Sequence, residues 1–70
     1  MATFSLGKHP HVELCDLLKL EGWSESGAQA KIAIGEGLVK VDGVVETRKR
    51  CKIVAVQIVS FEGHSISVVA

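Results

Sequence analysis

A chain of 70 residues is expected to form a single domain over residues 1–70, because that length closes one hydrophobic core with no room for a second. A catalytic cleft takes concave volume on the order of 300 Å³ or more, which would consume much of so small a core, so an enzyme is not expected. A hydrophobic share of 47% and a formal net charge of zero exclude a disordered, self-repelling chain, and they equally exclude any argument for nucleic acid from the overall balance.

Thr3 to Leu6 alternates polar and apolar residues, the pattern of a short strand, before Gly7 and Pro10 break it. From Val12 to Leu20 the apolar residues Leu14, Cys15, Leu17 and Leu18 recur at helical spacing, with Gly22 as the stop. Ser26 followed by Gln29 has the form of a capping box, and Ala28 to Ile34 then predicts a second helix that exits through Gly35-Glu36-Gly37. Beyond Gly37 the grammar becomes that of strands. Leu38 to Val41 and Val44 to Glu46 flank Asp42-Gly43, a two-residue hairpin turn, and Gln57 to Phe61 and His64 to Val69 flank Glu62-Gly63 in the same way. A further strand is expected through Lys52 to Val54. Helices early and strands late predict an α+β fold, two short helices packed on a small, mostly antiparallel β-sheet.

The neutral total conceals a polarised chain. Residues 1–30 carry two basic side chains against four acidic ones, residues 31–52 carry six (Lys31, Lys40, Arg48, Lys49, Arg50, Lys52) against three, and only Glu62 is charged beyond Ile53. The densest run, Arg48 to Lys52, is expected to be a mobile, solvated loop. Lys40 alternates with Val39 and Val41, which the core claims, so its ammonium is expected to face solvent. If the start of helix two packs against the hairpin, Lys31, Lys40 and the loop converge on one anion-binding surface.

Other residues carry less. Cys15 and Cys51 sit in regular segments and are expected to be reduced. Cys51, beside Arg50 and Lys52, is either a thiol of lowered pKa or a half-buried strand cysteine, and with no histidine nearby in sequence the second reading is favoured. His9, His11 and Cys15 lack the spacing of a metal site, so no metal and no cofactor are expected. Trp23 is expected to seal the core, with stacking on a base the weaker reading. Residues 1–10 lack a secretory signal, and no stretch nears the roughly 18 apolar residues of a membrane span, so a cytoplasmic protein is expected.

Leu17-Leu18, Gly22, Ser26, Ala30-Lys31, Ile34, Gly37, Val39-Lys40-Val41, Asp42-Gly43 and Ile53 together resemble the S-four RNA-binding domain, also called the alpha-L motif, with its core at about residues 12–61. The resemblance implies RNA held by the start of the second helix and the hairpin after it. Lys31 and Lys40 match basic or polar positions of that surface, and Asp42-Gly43 matches its turn. Gly27 stands where many members have arginine, Glu13-Leu14-Cys15 replaces a frequent Arg-Leu-Asp, and Ala55-Val56-Gln57 replaces a glycine-containing turn. The first two changes remove positive charge, so Arg48, Lys49, Arg50 and Lys52 are expected to carry more of the binding. The expected function is that of a monomeric, non-catalytic adaptor or chaperone-like protein for structured RNA, ribosomal or transfer. The alternative is a protein-interaction module that keeps the fold without RNA.

Overall fold

The computed structural model describes residues 2–70. A strand β1 (Ala2–Ser5) leads through a turn to a two-residue strand β2 (Val12–Glu13), followed by helices α1 (Leu14–Leu20) and α2 (Gly27–Gly35). The rest is strand: β3 (Val39–Val41), β4 (Val44–Val45), β5 (Lys52–Ile53), β6 (Ile58–Phe61) and β7 (His64–Val69). Five strands form one sheet in the order β1-β7-β6-β3-β4, and β2 pairs with β5 as a separate antiparallel ribbon. Within the larger sheet only β1–β7 is parallel. This is the α+β arrangement predicted from element order.

Both helices end by the same device. After α1, Gly22 takes φ 76° and donates its N–H to Lys19, while Trp23 N–H reaches back to Leu18. After α2, Gly37 takes φ 77° and donates to Ile34, while Leu38 N–H reaches Ala33. This crossed pair of bonds satisfies carbonyls that a helix end leaves open, and its left-handed residue costs glycine nothing. At the other end of α2, Ser26 Oγ accepts the Gln29 N–H at 3.2 Å, as the capping pattern predicted. The Gln29 side chain returns to Glu25 N–H rather than to that of Ser26.

Helix α1 begins at Leu14, not at Val12 as its periodicity suggested. Val12 and Glu13 pair with Ile53 and Lys52, so Val12 is held in the ladder and Glu13, extended at ψ 140°, is the cap from which the helix starts rather than part of its first turn. Both predicted hairpins form, with positive φ at each turn residue: 52° and 81° at Asp42-Gly43, 48° and 82° at Glu62-Gly63. Those angles match the right-handed twist of the flanking strands. The core lies between the helices and one face of the sheet. Leu14, Leu17 and Leu18 of α1 and Ile34 of α2 are fully buried with Val39, Ile53, Val59, Ile66 and Val68.

Candidate functional site

The basic segment between β4 and β5 is tied down. The first N–H groups of a helix lack intrahelical partners, and Glu13 supplies no side-chain cap to α1. The loop supplies acceptors instead: Leu14 N–H donates to the Cys51 carbonyl at 2.9 Å and Cys15 N–H to that of Lys49 at 3.2 Å. Arg48 is gripped as well, its Nε and Nη2 each 3.0 Å from a Glu46 carboxylate oxygen and its backbone N–H 2.9 Å from Oε2. The expected mobile loop is therefore corrected to an ordered one, fixed by backbone acceptors and one bidentate ion pair.

Electrostatics follow from that pair. The Arg48 guanidinium, and after it the Arg48 N–H, hold the Glu46 carboxyl down to about 2, while Glu46 in turn raises the Arg48 pKa. Arg50 lies farther from a carboxylate, 3.9 Å from Glu13. Lys31, Lys40, Lys49 and Lys52 make no ion pair among the described residues. Partial burial and the nearby Glu46 push the Cys51 thiol up, opposite to the lowering that a reactive thiol needs. Cys51 is the half-buried residue just ahead of β5.

Arg48, Arg50 and Lys52 line one open depression of about 410 Å³ with Cys51. Lys49 turns toward α2, where its Cε lies 3.3 Å from where a Cβ on Gly35 would sit. Lys31 is one helical turn before Gly35 and shares its flank. Lys40 points away from the core between buried Val39 and Val41. It is paired across the hairpin with Val45, whose Cγ1 is 3.4 Å from the Cβ position of Gly37. The α2 exit thus has Lys49 at one glycine and the β3–β4 hairpin at the other, which corrects the expected contact between the hairpin and the start of the helix: the turn at Gly37 leads directly into β3 and keeps the hairpin at the helix's end. Asp42 is occupied structurally, with Oδ1 accepting Ile58 N–H at 2.9 Å and its own N–H donating to Ile58 at 2.7 Å. Gly43 completes that turn.

Sequence reasoning missed the two carboxylates that meet the arginines. Glu46, two residues before Arg48, was within reach of a local charge-spacing argument, whereas Glu13 meets Arg50 only through the β2–β5 ribbon. Trp23 is half-buried against the core, as predicted, and stacks on His64 with centroids 5.5 Å apart. Among the described residues no cluster of His, Cys, Asp or Glu could hold a metal, and no helix is long and apolar enough to cross a membrane.

The model of a family described as "S4 domain" matches residues 4–69. The protein YbcJ of Escherichia coli (strain K12) is 89% identical over 70 residues, covering 100% of each chain, and YbcJ of Shigella flexneri is equally similar. The solution structure of E. coli YbcJ, with an alpha-L motif described as involved in RNA-binding, superposes with a TM-score of 0.77 at 88% identity. That match covers 100% of this chain and 89% of that one.

Proposed function

Because this chain belongs to the S4 domain family, we propose that it is a non-catalytic RNA-binding protein that grips structured RNA through the basic surface at the exit of α2. Lys31, Lys40, Lys49 and Lys52 contact phosphates, Arg48 and Arg50 extend the surface, and Asp42 and Gly43 hold the hairpin that presents Lys40. The observation that supports this reading is the seating of Lys49 over Gly35, one helical turn from Lys31. The RNA-binding motif described for the 88% identical relative supports the same reading. Sparse aromatic content, 4%, favours folded RNA, ribosomal or transfer, read by shape and phosphates rather than single strands. The protein acts as one domain, a cytoplasmic monomer with an adaptor or chaperone-like role.

The test is the double reversal Lys31→Glu/Lys49→Glu, which breaks no ion pair among the described residues. Its circular dichroism and melting temperature should match the parent while its affinity for a labelled stem-loop RNA collapses. Unchanged affinity in the folded variant would refute the proposal and favour a protein-interaction module.

A further inference from the structure

The flank of α2 opposite Lys31 and Gly35 is built differently. Gln29, Ile32, Ala33 and Glu36 recur there at helical spacing and form one wall of an open groove of about 470 Å³. The other walls come from the two helix terminators: each sends the residue after its left-handed glycine, Trp23 from α1 and Leu38 from α2, into the same groove. Phe61 closes the floor, its ring 6.4 Å from that of Trp23. Ile32 is 59% exposed and Leu38 48% exposed, so large apolar side chains meet water where none of the described elements covers them.

Charge decides what fits. Glu25, Glu36 and Glu62 rim the groove, and none makes an ion pair among the described residues. No lysine or arginine lines it; Lys40 stands in the adjoining depression, which shares Leu38, Phe61 and Glu62. Three carboxylates repel a phosphate chain and equally a second copy of the same acidic rim. They complement a cationic segment that brings its own apolar side chains for Trp23, Ile32 and Leu38.

We propose that this groove docks a lysine- and arginine-rich amphipathic segment of another protein, on the flank of α2 away from Lys31 and Lys49. The inference goes beyond RNA binding and does not require it. Specificity comes from the pairing of apolar contact with charge: a purely cationic chain lacks the first and an acidic amphipath the second.

Trp23 is the one tryptophan in a chain without tyrosine, so its emission reports on the groove it lines without background from another indole or phenol. A short synthetic Lys/Leu amphipathic peptide should shift that emission to shorter wavelength with saturation, whereas an all-lysine peptide and a Glu/Leu peptide of the same pattern should not. Glu25→Gln/Glu36→Gln/Glu62→Gln should keep its melting temperature and lose about tenfold in peptide affinity, as three modest ion pairs imply. Equal response to the Glu/Leu peptide, or undiminished affinity in the triple variant, would overturn the proposal. So would a concentration-dependent Trp23 shift in the protein alone, which would assign the groove to a second copy. Stem-loop RNA binding by Ile32→Ser/Leu38→Ser should equal that of the parent; its loss in the folded variant would give the groove to RNA instead.

Discussion

The salt dependence of RNA binding can be worked out from which cations are free. Lys31, Lys40, Lys49 and Lys52 have no carboxylate partner among the described residues, whereas Arg48 sits 3.0 Å from Glu46 and contributes little net charge. Each phosphate neutralised contributes about −0.7 to −0.9 to the slope of log affinity against log salt, so four lysines give roughly −3 and a loss of about 50- to 150-fold between about 50 and 200 mM salt. Lys49→Gln should flatten the slope by about 0.7 to 0.9. Arg48→Gln/Glu46→Gln removes a cation and an anion together and should leave the slope as it was. Fluorescence anisotropy of a labelled stem-loop RNA across a salt series measures all three proteins. Equal flattening by the pair removal and by Lys49→Gln would refute the distinction between free and compensated cations, and a slope near zero would refute the phosphate contacts altogether.

Three further outcomes follow from local geometry. Val56, 86% exposed, is held at φ 66°, where a β-branched residue is strained by about 1–2 kcal/mol. Val56→Asn should recover on the order of 1 kcal/mol, raising the melting temperature by about 4–8 °C; an unchanged melt would show the turn to be unstrained. Asp42→Ala should cost about 0.5–1.5 kcal/mol by removing the side-chain acceptor of the exposed Ile58 N–H, while Asp42→Asn keeps that oxygen and most of the stability in urea melts. Finally, the depressed Glu46 carboxyl makes its contribution to stability complete above the usual carboxylate range, near 4.5, and loses it as pH falls toward about 2. A carbon-detected NMR titration should place its midpoint near about 2, and Arg48→Ala should move it up toward the ordinary value.

What was legible in the sequence was what is local. Asp42-Gly43 and Glu62-Gly63 announce their turns because the conformation each needs is written in two adjacent residues, and Ser26 with Gln29 announces a helix start for the same reason. The start of α1 was not legible, because Val12 and Glu13 are claimed by Lys52 and Ile53, a partnership that periodicity within one window does not register. Nor was the order of the basic loop: the atoms that fix it are the carbonyls of Lys49 and Cys51, and every residue has one. The replacement of a glycine-containing turn by Ala55-Val56-Gln57 did flag the place where a valine sits in the left-handed region. Of the candidate surface, the cations were readable as a run, but the approach of Glu13 to Arg50 and the seating of Lys49 over Gly35 required the fold.

The parallel pairing of β1 with β7 has a consequence for how the molecule assembles. Ser5 Oγ reaches the Ala70 carbonyl across a separation of 65 residues, so the outermost strand has nothing to lie against until the final hairpin is in place. Closing so long a loop is entropically slow, which makes this clasp the natural last event of folding and the first to open. Amide protons of Thr3 to Ser5 should then exchange with solvent well ahead of those in β6, leaving the α2 exit and its lysines intact while the far border of the sheet breathes.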